Sequence, residues 1–147
     1  MKILLSDTEA TRQLGKQLAQ VWRPPTVLLF EGNLGAGKTT CVQGIAAALG
    51  ITDPVTSPTF TLIEEYGDKL IHMDLYRLAP FEVEKLGLEE MWERGALVAI
   101  EWSERLSLLP EDYLRITFTN AEPRQAAFVA FGIAAEGYLQ RLKPLLL

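Results

Sequence analysis

Apolar positions along this chain recur with two periods, and the switches between them divide it into short alternating elements. Thr26-Val27-Leu28-Leu29-Phe30-Glu31 is a nearly unbroken apolar run between Pro24-Pro25 and Gly32, the pattern of a strand buried on both faces. Leu97 to Trp102 is a second run of this kind. Between such runs the spacing becomes helical. From Thr8 to Trp22, residues Ala10, Leu14, Leu18 and Val21 share one face, and Ser6 with Glu9 matches a capping box at the start. From Lys38 to Leu49, residues Val42, Ile45 and Leu49 keep helical spacing, with Gly50 as a stop signal.

The remaining segments continue the alternation. Lys2 to Leu5 reads as a strand, and Thr59 to Tyr66 and Leu70 to Leu75 read as two strands joined by Gly67-Asp68-Lys69 in a hairpin. Pro80 to Arg94 reads as helical, with an interruption at Gly87. Tyr113 to Thr119 and Ala126 to Phe131 read as two more strands, closed by a helix over Ala134 to Leu146 whose Tyr138, Leu139 and Leu142 pack on the sheet. Strands alternating with helices over 147 residues predict a single α/β domain, residues 1–147.

Composition narrows the function classes. No stretch reaches the ~18 uninterrupted apolar residues of a membrane span. Met1 to Ser6 lacks the apolar core of a signal peptide, so the expected residence is the cytoplasm, with no membrane partner. Cys41 is the only cysteine, which excludes an intramolecular disulfide and reads as a packed thiol. A formal net charge of −5 argues against a chain that grips nucleic acid by itself, so any RNA involvement is expected through a partner.

The chemistry lies between the first buried strand and the helix after it. Gly32-Asn33-Leu34-Gly35-Ala36-Gly37-Lys38-Thr39 fills the pattern G-x-x-x-x-G-K-[ST] of a phosphate-binding loop. Glycines let such a loop fold back, so that backbone N–H groups converge on phosphates at the positive end of the following helix. Asn33, Leu34, Gly35, Ala36, Gly37, Lys38, Thr39 and Thr40 are therefore the expected nucleotide contacts. Lys38 reaches the β and γ phosphates, and the Thr39 hydroxyl is a natural magnesium ligand.

A phosphate loop also needs an acidic residue at the carboxyl end of a neighbouring strand. Glu101, ending Leu97-Val98-Ala99-Ile100, and Asp74, ending Leu70-Ile71-His72-Met73, both qualify, with Arg77 as an alternative structural partner for Asp74. His72 shares a strand face with Asp74 and reads either as a packed imidazole or as a group near the nucleotide. Thr56-Ser57-Pro58-Thr59-Phe60 is a polar, proline-marked loop that spacing alone supports only as a turn.

Four ordered blocks carry a resemblance: Gly37-Lys38-Thr39-Thr40, then Ser57-Pro58-Thr59-Phe60-Thr61-Leu62, then His72-Met73-Asp74-Leu75-Tyr76-Arg77-Leu78, then Ile100-Glu101-Trp102. With these blocks the chain resembles, over nearly its whole length, the TsaE (formerly YjeE) family of small bacterial ATPases required for making threonylcarbamoyladenosine in tRNA. The resemblance implies a three-layer phosphate-loop fold with a mostly parallel central sheet. It implies a magnesium-dependent ATPase that works with TsaB and TsaD, TsaD being the transferase, and that meets tRNA only through that complex. It makes Glu101 the magnesium ligand with Thr39, keeps Asp74 near the metal or the attacking water, and promotes Thr59 to a γ-phosphate sensor. Trp102 is implied to support nucleotide binding or turnover, and a core aromatic is an equally good physical account of it. Thr11 and Arg124 are implied to lie near the adenine, although Asn120-Ala121-Glu122-Pro123-Arg124 departs from a glycine-containing turn. A small-molecule or nucleotide kinase is one alternative, but no clustered arginine lid stands out; a scaffold that binds nucleotide without hydrolysing it is another, since a loop does not show hydrolysis. A regulatory GTPase is excluded, because neither Asn-Lys-x-Asp nor Asp-x-x-Gly occurs.

Overall fold

The computed structural model describes residues 1–33 and 35–146. Its elements in chain order are β1 (Lys2–Leu4), α1 (Thr8–Gln20), β2 (Val27–Glu31), α2 (Lys38–Ala48), β3 (Ile63–Tyr66), β4 (Leu70–Asp74), α3 (Pro80–Glu84), β5 (Leu97–Glu101), β6 (Tyr113–Thr119), β7 (Gln125–Phe131) and α4 (Ile133–Leu146). Short 3-10 segments cover Leu88–Glu93 and Ser103–Arg105. The strands form one seven-stranded sheet in the order β1-β7-β6-β2-β5-β4-β3. The central pairings β6–β2, β2–β5 and β5–β4 are parallel, and the flanking ones are antiparallel.

Register decides what the sheet can present. Phe30 stands opposite Glu101, and Glu101 stands opposite Asp74. Because parallel strands run in one direction, the loop leaving β2 and the last residues of β4 and β5 emerge at the same edge, where open α/β sheets bind ligands.

Alternate residues of the central strands feed two cores. Leu28, Phe30, Leu70, Ala99, Leu114 and Ile116 meet Leu14, Leu18, Val42, Ile45, Tyr138 and Leu142 from α1, α2 and α4. Leu29, Ile71, Met73, Val98 and Ile100 meet Val83 and Leu88 on the other face. This second layer stops short of the antiparallel flank, where Val129 and Phe131 are 55% and 58% exposed.

The tightest contact holds α1 against α2. A Cβ on Gly15 would lie 2.0 Å from the Cys41 carbonyl oxygen, and one on Gly44 would lie 2.1 Å from that of Arg12, so the helices touch backbone to backbone. The phosphate-loop helix is thereby fixed from behind as well as by the sheet.

Two expectations are corrected. The α1 cap is Asp7, one residue beyond the Ser6 start: Asp7 is extended, and its Oδ1 accepts from Ala10 N at 2.7 Å. This registers the helix so that position N3 is Ala10, and the reciprocal half of a capping box with Glu9 is lost. The strand expected from Thr59 begins only at Ile63. Leu62 turns to a φ of 69°, and its N–H donates to the Pro58 carbonyl at 2.7 Å, closing residues 58–62 into a turn.

The helix contact sets a clear contrast. Gly44→Ala should lower stability by about 1–3 kcal/mol in urea unfolding, because a methyl group has only backbone to push against. Gly137→Ala in α4, whose Cβ would meet only the Arg141 side chain at 3.6 Å, should be neutral or stabilise by about 0.5–1 kcal/mol. Burial also sets an alkaline limit. It raises the Cys41 thiol far above its ordinary 9.0 and likewise raises the Tyr138 phenol, which donates to the Leu18 carbonyl at 2.7 Å. Both groups stay protonated in the folded state after the unfolded chain has released its protons, so stability should hold up to about pH 9 and fall above it. Cys41→Ala should flatten that fall in denaturant titrations across pH.

Candidate nucleotide site

Gly32 ends β2 where no larger residue fits: its φ is 140°, and a Cβ would lie 2.7 Å from the Phe118 carbonyl oxygen. The loop then turns, with Ala36 N donating to the Asn33 carbonyl at 3.1 Å, and enters α2 through Gly37 at a φ of 110°. The first turn of α2 has no acidic residue and no side-chain cap. Its N–H groups and the positive end of its dipole are therefore free to meet an anion.

Lys38 folds back over this loop. Its Nζ donates to the Gly32 carbonyl and lies 4.0 Å from the centroid of the Trp102 ring. Burial pushes the ammonium below its usual range, against the upward pull of Glu101, Glu104, Asp74 and Glu31. An approaching phosphate offers the compensation that desolvation removed.

Thr39 and Glu101 meet at the mouth of the loop. The Thr39 hydroxyl is 3.0 Å from Glu101 Oε2 and 3.3 Å from Oε1, and Glu101 is buried. His72 Nε2 lies 2.6 Å from the same Oε2. Asp74, one strand further out, gathers hydroxyls: its Oδ2 accepts from Ser57 Oγ at 2.8 Å and Thr59 Oγ1 at 3.1 Å. Its Oδ1 accepts from Tyr76 N at 2.9 Å. Arg77 is not its partner, since the guanidinium stacks on Phe60 at 4.1 Å.

The chain leaves β5 sharply. Trp102 adopts a φ of 58°, a conformation that costs a non-glycine residue about 1–2 kcal/mol and is held by its surroundings. Tyr76 packs on its ring at 4.8 Å, and Lys38 lies over it. Just beyond, Ser103 Oγ donates to Glu31 Oε2 at 3.1 Å, tying this turn back to the end of β2.

These groups line one cleft of about 350 Å³. Gly35 to Thr40, Thr59, Asp74, Glu101 and Arg124 all contribute to its wall, as do Ser57 and Trp102. Asn33 contributes its carbonyl to the turn and does not reach the cleft wall, and Leu34 lies outside the described residues. Thr11 sits behind the loop, buried, with its methyl 3.4 Å from where a Gly37 Cβ would be. Neither the Ser57 hydroxyl on Asp74 nor the His72 contact with Glu101 is assigned by the motif pattern, although His72 is expected either packed or near the nucleotide. Ser57 was signalled by its hydroxyl two residues before Thr59, and His72 by the strand face it shares with Asp74. A larger hollow of about 570 Å³ opens around Trp92 near the starts of the parallel strands, but Glu89, Glu93 and Glu111 line it with no lysine or arginine, so it repels phosphate.

Among the described residues no three His, Cys, Asp or Glu side chains gather to hold a metal. The donors present, a threonine hydroxyl and a carboxylate, are hard oxygens of the kind that suit magnesium, which takes few protein ligands and completes its shell with phosphate and water.

A glycine loop joining a buried parallel strand to a helix, with a lysine, a hydroxyl and a carboxylate converging on it, defines the class: an α/β phosphate-loop fold. The family model for threonylcarbamoyl adenosine biosynthesis protein TsaE matches residues 5–127, and the chain belongs to the TsaE family. The tRNA threonylcarbamoyladenosine biosynthesis protein TsaE of a Nostoc strain is 48% identical over 139 residues, covering 88% of this chain and 86% of that protein. The protein of the same name from Bacillus subtilis is 42% identical over 130 residues, covering 84% and 82%. The crystal structure of Bacillus subtilis YdiB superposes with a TM-score of 0.81 at 34% identity, covering 99% of this chain and 95% of that one.

The Asp74 cluster yields a direct test. Asp74→Ala removes the shared acceptor of Ser57, Thr59 and Tyr76 N, each bond contributing about 1 kcal/mol. Hydrogen–deuterium exchange should then speed up about tenfold or more over residues 57–62, with the α1–α2 contact unchanged.

Proposed function

We propose that this chain is a magnesium-dependent ATPase of the machinery that makes threonylcarbamoyladenosine in tRNA, acting in the cytoplasm with TsaB and TsaD and meeting tRNA only through that complex. One observation carries the reading: the Thr39 hydroxyl at the start of α2 lies 3.0 Å from the buried Glu101 carboxylate, a pair of oxygen donors beside a phosphate loop. Family membership supports the pathway, since relatives carry the name tRNA threonylcarbamoyladenosine biosynthesis protein. No helix among the described residues is long and apolar enough to cross a membrane.

In the reaction, water attacks the γ phosphorus in line, the bond to the β–γ bridging oxygen breaks, and ADP leaves with that electron pair. The water's proton passes to the released phosphate or a nearby carboxylate. The backbone N–H groups of Gly35 to Thr40 and the Lys38 ammonium take up charge as it develops on the phosphate oxygens. Thr39 and Glu101 would hold magnesium, whose chemistry there would be neutralisation of phosphate charge. Asp74 orients the attacking water, and Thr59, hydrogen-bonded to it, senses the γ phosphate. Arg124, on the cleft wall, meets the adenine side, while Thr11 acts through the loop it packs against.

Neither Arg77 nor Arg105 is free to reach the phosphates, and Arg124, on the cleft wall, is assigned to the adenine side. Arg77 is stacked on Phe60, and Arg105 donates to the Leu78 carbonyl at 3.1 Å. Turnover by the chain alone should therefore fall well below the ~10 per second typical of metabolic enzymes. Phosphate release from magnesium ATP, measured with and without TsaB, TsaD and tRNA and with Lys38→Ala as the blank, should be slow alone and rise at least about tenfold with the partners. Unchanged turnover would overturn the partnered-ATPase reading and favour a screen of small phosphate acceptors.

A further inference from the structure

One buried group beside the phosphate loop has no part in the chemistry above. His72 is the only histidine in the chain. It is 0% exposed, its Nε2 is 2.6 Å from Glu101 Oε2, and its Nδ1 has no partner among the described residues.

We infer that His72 is a positioning residue: its Nε2–H holds Glu101 Oε2 and fixes the carboxylate toward Thr39, in the orientation that a magnesium ion shared by Thr39 and Glu101 requires. The inference deepens the ATPase reading and rests on it.

The hydrogen-bond chemistry comes first. An ionised carboxylate only accepts, so a 2.6 Å contact requires the proton on Nε2. That arrangement leaves Nδ1 buried with no protein partner among the described residues, at a cost to the fold. Packing does not explain accepting this. Leu70 occupies the same strand face two residues earlier and is completely buried, so an apolar side chain would suit this layer without an orphaned nitrogen.

Glu101 provides the second argument. It shares the cleft with the oppositely charged Lys38, yet no ion pair joins them among the described residues. Lys38 is taken by the Gly32 carbonyl and the Trp102 ring, and Glu101 by Thr39 and His72. Of these two, only His72 holds the carboxylate without itself belonging to the proposed metal pair. It comes from β4, whose His72 is registered against Ala99 of β5, so the hold is built on two hydrogen-bonded strands. Groups of this kind set the orientation of a metal-binding carboxylate, and losing one typically weakens metal affinity about 10- to 100-fold.

The test is calorimetric binding of ADP with Mg²⁺ and in EDTA, for wild type, His72→Leu and His72→Gln. The gain in affinity on adding Mg²⁺ should fall about tenfold or more in His72→Leu and be largely kept in His72→Gln, whose Nε2 amide can still donate. A merely structural role gives the opposite order, since leucine suits an apolar layer and glutamine does not. Undiminished Mg²⁺ gain in His72→Leu overturns the inference. A wild-type chain with no Mg²⁺ gain overturns the ATPase reading as well, so the two failures are distinct. Because one histidine gives one imidazole signal, ¹⁵N-histidine NMR of the wild type provides a readout without substitution. A proton on Nε2 with bare Nδ1 supports the inference, and a proton on Nδ1 alone overturns it. If His72→Leu does not fold, this spectrum and the glutamine variant decide.

Discussion

Parallel pairing of β2, β5 and β4, with Phe30, Glu101 and Asp74 on one level, is the constraint on which the rest of the molecule depends. Side chains along a strand alternate faces, so a slip of one residue in β5 would turn Glu101 from the α2 face to the opposite one and bring Ile100 to the phosphate loop. The two cores prevent that slip. Leu97 and Ala99 are buried against the α1–α2 layer, and Val98 and Ile100 against the layer carrying Val83 and Leu88. Exchanging them would transfer every one of those side chains into a core shaped for others. The site is thus held by hydrophobic packing on both faces of β5, well before any polar contact is counted.

What this packing holds is electrostatically unfavourable by itself. Lys38, Asp74, Glu101 and His72 are all buried within one small region. The charges are not simply neutralised against one another: the lysine is turned onto a carbonyl and an aromatic face, and the carboxylates onto hydroxyls, an imidazole and a backbone N–H. Each donor satisfies one lone pair and leaves the groups facing the cleft capable of further bonds. A site whose positive and negative members had collapsed into ion pairs would be more self-contained and less able to take up phosphate and metal. The same burial pushes the Lys38 ammonium below its usual range.

Legibility in the sequence followed how local each cause was. The phosphate loop, β2, β5 and α2 could be read because glycine spacing, unbroken apolar runs and helical periodicity are properties of neighbouring residues. Gly87 was read as an interruption, and it sits at a φ of 61° between α3 and the following 3-10 segment. Thr59 to Leu62 has a composition that suits a strand, yet β3 begins only at Ile63. The turn there is set by a left-handed Leu62 and by hydroxyls captured by Asp74, some fifteen residues away in sequence. Ser6 and Asp7 are adjacent cap formers, and only the helix register chooses between them. The convergence of Lys38, Thr39, Asp74 and Glu101 on one cleft was legible from motif and strand ends. The partner of His72 was not, because that contact depends on β4 and β5 being neighbours, a fact no local pattern contains.

The amino-terminal corner explains why α1 bears on a site to which it contributes no cleft-lining side chain. Leu5 N donates to the Arg124 carbonyl at 2.9 Å, fastening the β1–α1 junction to the turn between β6 and β7. Asp7 then caps α1, Thr11 packs on Gly37, and Gly15 and Gly44 bring α1 onto α2 without intervening side chains. One short path therefore links the Arg124 turn, the phosphate loop and the base of its helix through contacts that have little room to adjust. The opposite wall is built differently: Ser57 and Thr59 reach Asp74 through hydroxyl hydrogen bonds from a turn whose Phe60 is 81% exposed. Close-packed backbone on one side and a few exchangeable hydrogen bonds on the other give the cleft one fixed wall and one that can be reset. That asymmetry fits the proposed ATPase, in which the loop would hold phosphate at a constant position while the Ser57–Thr59 segment responds to what is bound.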